Sequence, residues 1–186
     1  AMEEILNYLE KHDPEGQTIA KQAYQCFEPY MKDEGQSYAR ATALVPGTCE
    51  EEVIRLLQTL HQKANLFKDD PENDFNNLQN AHIAVNAEKY YRAMLHGGPN
   101  AWNIRDQHMF DTLQRLLEFH GPQSKAIIWA HNTHVGDARA TDMTDDGMYN
   151  IGELARELFG DGVFLVGFGS YQGTVIAGKK WGAAMK

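Results

Sequence analysis

In Lys125-Ala-Ile-Ile-Trp-Ala-His-Asn-Thr-His-Val135 a short apolar run ends in two histidines three residues apart. Ala126 to Ala130 show no helical period and follow the breaker cluster Gly121-Pro122-Gln123-Ser124, a pattern that predicts a buried strand. Asn132, Thr133, Gly136 and Asp137 are turn formers, which places His131 and His134 on the loop leaving that strand's carboxyl end. In open α/β sheets ligands bind at that edge, because side chains there face a crevice while the strand holds the backbone rigid.

Working outward, Asn150 should cap a helix from Ile151 to Phe159, and Val163 to Phe168 reads as a second strand. The unit is then β-loop-α-β, with parallel strands and a right-handed crossover. Gly169-Ser-Tyr-Gln-Gly173 turns into a short last strand over 174–177. Upstream the pattern is helical. Ile5, Leu6 and Leu9 make one stripe. Asp13-Pro14 starts a helix through Ala20, Ala23, Tyr24 and Phe27 that Pro29 should end. Thr48-Cys-Glu-Glu51 is a capping box before Val53, Leu56, Leu57, Leu60, Ala64 and Phe67. After the polar break Lys68-Asp-Asp-Pro-Glu-Asn73, a long helix from Phe75 to Leu95 turns Leu78, Ala81, Val85 and Tyr91 inward and closes at Gly97-Gly98-Pro99. A further helix, Asn103 to His120, buries Ile104, Phe110, Leu113 and Leu117 and ends at Gly121 as a left-handed cap.

The expected class is therefore α/β: a largely helical part, residues 1–122, inserted over or capping a carboxyl-terminal unit of strands and helix, residues 123–186. Two or three strands cannot cover both faces of a parallel or mixed sheet, so that sheet reads as incomplete. An amino-terminal segment outside this sequence, or a second copy pairing at the exposed sheet edge, would supply the rest.

Composition limits the partners. Seventeen basic against 26 acidic side chains give a formal charge of −9, which disfavours nucleic acid and anionic membrane surfaces. The longest apolar runs fall far short of the roughly 20 residues that span a bilayer. Cys26 and Cys49 read as too few and too far apart for a disulfide framework or a zinc knuckle, which points to a reducing, cytoplasmic setting.

The chemistry concentrates at His131 and His134. Two imidazoles at a strand end can place a general base beside an electrophilic stabiliser, or supply two ligands of a divalent metal that would still need a third. The bland alternative is one hydrogen-bonded loop histidine and one exposed histidine. Asp137, three residues on, is the loop acid best placed to orient a histidine, and Asp142, Asp145 and Asp146 read as solvated. Arg105 and Asp106 form either a structural ion pair or, through the arginine, a site for an anionic intermediate. Tyr91 is core or cleft-lining. Gly167-Phe-Gly169 lacks the third glycine and helix start of a nucleotide loop.

Trp129-Ala-His-Asn-Thr-His-Val135, preceded by Asn86-Ala-Glu-Lys-Tyr-Tyr-Arg-Ala-Met94 and Trp102-Asn-Ile-Arg-Asp-Gln-His-Met109, resembles the erythromycin esterase family. Val166-Gly-Phe-Gly-Ser-Tyr-Gln-Gly173 is similar to that family's late strand and turn. The likeness is close over residues 75–177 and looser before them. It implies an α/β hydrolase with an inserted helical subdomain, acting on a small-molecule ester such as a macrolide lactone and requiring no metal or other cofactor. His131 and His134 would orient the substrate, polarise its carbonyl or assist proton transfer, with Asn132, Asp137, Arg105, Asp106 and Tyr91 in support. The family's further histidine, accompanied by glutamates near the amino terminus, activates water. No strand followed by such a cluster occurs in the first seventy residues, so two other readings stay open: a catalytically inactive ligand- or partner-binding domain, and a metal-binding domain using His131 and His134.

Overall fold

Amphipathic spacing with matching end charges starts the chain as helix. In α1 (Met2–His12) Ile5 and Leu9 are buried, Glu3 and Glu4 lie in the first turn, and Lys11 and His12 lie in the last, each sign favourable for the helix dipole. The computed structural model describes residues 1–33, 36–44, 47–63 and 70–177. Next comes α2 (Pro14–Gln25), with Pro14 in its first turn as expected. Asp13 precedes it, yet its carboxylate makes no cap bond and instead pairs with Lys63. Pro29 sits in a 3-10 helix, Glu28–Asp33, which ends the run. Then follow α3 (Gln36–Leu44) and α4 (Glu50–Lys63). The capping box is not the start of α4. The helix begins at Glu50, and the Cys49 amide is satisfied by the Tyr38 hydroxyl at 2.9 Å. Ala64 and Phe67 lie outside the described residues.

The hub is α5 (Pro71–Met94), which packs on α1, α3, α4 and α6 (Asn100–His120). It starts four residues earlier than expected, because Asp70 accepts from the Asn73 amide and Pro71 takes the first turn; the polar break is itself a helix start. Ala81, Ala84 and Val85 enter a core shared with Ile5, Leu9, Val53, Leu56 and Leu60. Glu88 is buried there. It accepts from the Tyr38 hydroxyl at 2.8 Å and from Arg92 on both oxygens at 3.1 Å, so the charge is fully partnered.

The two cysteines are joined, which corrects the expectation that they stay reduced. Twenty-three residues separate Cys26 from Cys49, but the packing of α2 against α4 brings their Cα atoms to 5.8 Å and a disulfide links them. Separation along the chain said nothing about separation in space, and the argument for a reducing compartment falls with it. Reduction should remove about 3 kcal/mol of stability, the loop-closure value for a link of this length. Urea midpoints measured with and without a phosphine reductant check this, and equal midpoints would show the link to be idle.

A polar layer joins α4, α5 and α6 (Asn100–His120). The His61 and His82 rings meet edge to face at 5.6 Å, and Asn86 bonds His108 at 3.0 Å. Burial, then the charges of Arg115, His61 and His108, push His82 down to about pKa 4, against a smaller opposing pull from Asp111. Between pH 6.5 and about 4 the unfolded chain therefore binds more protons than the folded one at this site, and stability falls as pH falls through that window. Acidification from pH 7 to 4.5 should cost His82→Leu about 2 kcal/mol less than the parent, read from paired urea melts.

The carboxyl-terminal part does not form the expected α/β unit. Among the described residues there is no strand and no sheet, so the class is helical. Residues 123–130 and 163–177 carry no ladder. A strand is stable only when a neighbour takes its backbone groups and covers its side chains, and here Ile127 is 94% exposed, Trp129 84% and Phe164 94%. Apolar composition alone did not supply a partner. Side chains rather than a ladder hold the second segment: the Trp129 and Phe168 rings lie 5.5 Å apart, and just beyond the first segment the Asn132 amide donates to the Phe168 carbonyl at 2.6 Å and accepts from its amide at 3.1 Å. The helix between the segments is as expected, α8 (Ile151–Phe159), with the Asn150 carboxamide capping Glu153 at 2.9 Å. It packs with α6 in a second core of Phe110, Leu113, Ile151 and Ala155.

Candidate active site

The expected loop after residue 130 is a single helical turn, α7 (Asn132–Val135), with His131 as its cap. His131 is exposed. Its Nδ1 accepts from the Thr133 amide at 3.2 Å and lies 2.9 Å from the Thr133 hydroxyl. A neutral ring accepting at Nδ1 carries its proton on Nε2, so His131 presents an N–H donor outward.

His134 is held from three sides. Its ring lies parallel to the Trp102 indole, with centroids 4.6 Å apart and planes within 2°. Nδ1 is 2.9 and 3.0 Å from the two oxygens of Asp106, and Nε2 is 3.4 Å from Arg105 Nη2. The carboxylate can only accept, so Nδ1 carries the proton, and the Nε2 lone pair faces Arg105 Nη2, a donor 3.4 Å away. The two histidines thus offer opposite faces: a donor from His131 and an acceptor from His134.

The α6 helix builds that cradle through spacing. Trp102, Arg105 and Asp106 are three and four residues apart and share one face of its first two turns. The Arg105 guanidinium sits over the Trp102 ring at 4.9 Å. The Trp102 indole N–H donates to the Tyr149 carbonyl at 2.8 Å, and Asn103 ties to Gly147 and Tyr149 on the same loop. Asp106 is fully buried and also accepts from the Ile151 amide at 3.2 Å. Burial raises its carboxyl above the ordinary aspartate range, and His134, the Ile151 amide and Arg105 offset part of that rise.

Three consecutive residues lock α8 against α7 and α6. The Asn150 carboxamide donates to the Thr133 carbonyl at 2.8 Å, and Ile151 bonds Asp106. A Cβ on Gly152 would lie 2.1 Å from the Gly136 carbonyl oxygen and 2.6 Å from that of Val135. Only glycine permits this approach.

Of the expected site residues, the structure brings together His134, Arg105 and Asp106; His131 caps the turn that carries His134 but its ring contacts Thr133, and Asn132 in that turn bonds Phe168. Asp137 is elsewhere engaged. It pairs with Arg139 through both oxygens at 2.9 and 2.8 Å, and that arginine holds its carboxyl below the usual range. Tyr91 packs against the first core, edge to face with Tyr90. Trp102, Asn150 and Gly152 were not singled out as site residues. The i, i+3, i+4 spacing could have revealed Trp102; the close approach at Gly152 has no sequence signature. Among the described residues no three His, Cys, Asp or Glu side chains are grouped as metal ligands, and no helix is long and apolar enough to cross a membrane.

A family model described as Erythromycin esterase matches residues 1–186, the full sequence. No solved structure matches the chain.

Proposed function

The chain belongs to the erythromycin esterase family, and on that footing we propose that the group around His134 hydrolyses a macrolide lactone or related carboxylic ester with water as nucleophile. The observation that carries the reading is the Asp106–His134 pair, which fixes one tautomer and leaves Nε2 as a base beside a guanidinium. Water's oxygen bonds to the ester carbon as its proton passes to Nε2. The imidazolium that forms is stabilised by the buried Asp106 carboxylate. Negative charge developing on the carbonyl oxygen is met by Arg105 and by the outward N–H of His131. As the carbon–oxygen bond to the alcohol breaks, Nε2 returns the proton to the departing oxygen, and acid and alcohol leave.

The test is turnover by the purified chain of erythromycin, followed by mass spectrometry for the gain of one water, and of p-nitrophenyl butyrate, followed by absorbance. Hydrolysis of either substrate that survives a chelator supports the reading. Binding of erythromycin without turnover of either substrate overturns it in favour of a binding domain. Turnover lost with chelator and restored by zinc overturns it in favour of a metal site on the two histidines.

A further inference from the structure

Arg92 reaches Glu50 and Glu88, Arg139 reaches Asp137 and Glu157, and Arg115 reaches Gln79 and Thr112, so each of these guanidiniums is engaged by oxygen acceptors of the fold. Arg105 is not. Among the described residues no oxygen accepts a hydrogen bond from it, and its one polar contact is the long one from Nη2 to His134 Nε2 at 3.4 Å. The adjacent Asp106 carboxylate is taken by His134 and by the Ile151 amide. Yet Arg105 is half-buried, its Nε is closed to solvent without a partner, and its guanidinium is held over the Trp102 ring at 4.9 Å. A cation drawn partly out of water without an anion is costly. This one is already held in place, so a ligand meets little further ordering cost.

We propose that the open edge of Arg105 binds a carboxylate anion, the acid product of ester cleavage being the one formed beside it. The inference rests on the hydrolytic reading of His134 for that source alone, since carboxylate binds there whether or not the chain turns over. The guanidinium carries five N–H groups. The one on Nε is buried and one on Nη2 faces His134, whereas Nη1 has no partner among the described residues and is not buried. The edge formed by Nη1 and Nη2 therefore offers two parallel donors to two oxygens of one ligand. A carboxylate uses both its oxygens there, while a phosphate would keep further charged oxygens unmatched.

The experiment follows the arginine Nε–H signals of the intact, isotope-labelled chain by NMR during titration with butyrate and benzoate. Benzamide is the uncharged counterpart and inorganic phosphate the other oxyanion. The Arg105 signal, assigned by its loss in Arg105→Lys, should move saturably in the millimolar range with both carboxylates and stay in place with benzamide. The Arg92 and Arg115 signals, whose groups already have acceptors, should not move. Affinity in the variants is read from saturation transfer to the butyrate methyl group. Arg105→Lys keeps the charge and loses the fork, and should weaken butyrate at least about tenfold. Arg105→Gln should abolish binding, and Arg139→Gln, which removes the same charge elsewhere, should leave it unchanged. In turnover of p-nitrophenyl butyrate, butyrate should inhibit competitively with a constant equal to its dissociation constant. An unmoved Arg105 signal, binding indifferent to either Arg105 variant, an equal response to benzamide, phosphate bound more tightly than butyrate, or inhibition of another kind each overturns the proposal. Carboxylate bound as described by a chain that hydrolyses no ester counts against the reading at His134 and leaves the anion site standing.

Discussion

Asp106→Asn is expected to lower ester hydrolysis by about 10²- to 10⁴-fold while leaving thermal stability within about 1 kcal/mol of the parent. The carboxamide has the same shape and can still accept from the Ile151 amide through its oxygen. Its NH₂ then takes the Oδ2 place, 3.0 Å from His134 Nδ1, where it opposes the Nδ1–H and favours the tautomer in which Nδ1 accepts, while the oxygen in the Oδ1 place stays 2.9 Å from the same nitrogen. The imidazole proton moves to Nε2, and the base is lost where the lone pair was needed. The small effect on stability follows from the sign of the shift at Asp106. A buried carboxyl whose folded pKa is raised binds protons more readily folded than unfolded, so its ionised form opposes folding above that pKa, and its contribution improves as pH falls. Activity runs the other way, because a protonated Asp106 no longer holds the Nδ1–H. The acid limb of kcat should therefore contain Asp106 and vanish from the profile of the asparagine variant's residual activity. His134→Ala should match the loss, and His131→Ala should cost less, since it removes one donor and leaves the base. Hydrolysis unchanged in Asp106→Asn would remove the pair from the chemistry.

What was legible in the sequence followed from local rules. Helix starts at Pro14 and Asn150, the glycine stop at Gly121 and the apolar faces of α1, α4 and α6 each depend on residues within a turn or two of one another. The His131–His134 pair was legible for the same reason, and the neighbouring Arg105–Asp106 could be named although its partner could not. The failures that changed the fold were of long range, while the start of α5 and the loss of Asp137 to Arg139 were local. An apolar run such as Ala126 to Ala130 states that it needs cover but not whether cover is present, and a strand reading assumes that it is. Cys26 and Cys49 were judged by their spacing in the chain, which the packing of α2 on α4 overrides. Asp137 looked available because it follows His134 by three residues, yet Arg139, two residues further, takes its carboxylate. Asp106, twenty-eight residues upstream, takes the role that Asp137 was expected to fill.

Gly152→Ala is expected to destabilise the chain by about 3 kcal/mol and to lower kcat by about 10²-fold, although residue 152 makes no hydrogen bond to either histidine. The added methyl would start 2.1 Å from one backbone oxygen and 2.6 Å from another, both in the turn that carries His134. Backbone cannot rotate away as a side chain can, so either α8 lifts or α7 shifts. Each movement has a defined consequence. If α8 lifts, the Ile151 amide leaves Asp106 and the Asn150 carboxamide leaves Thr133. If α7 shifts, the Nδ1 contact to Asp106 lengthens and the ring slides off Trp102. Both routes misplace Nε2, by an amount that matters when reaction requires atoms within about 3–3.5 Å. Gly162→Ala is the matched control: its Cβ would meet nothing closer than Phe159 Cβ at 3.8 Å, and it should leave melting and turnover unchanged. Gly152→Ala that melts and turns over like that control would show that the turn yields freely and that His134 is not positioned through α8. A loss of turnover in Gly152→Ala at a temperature well below its melting point separates misplacement of the base from simple unfolding.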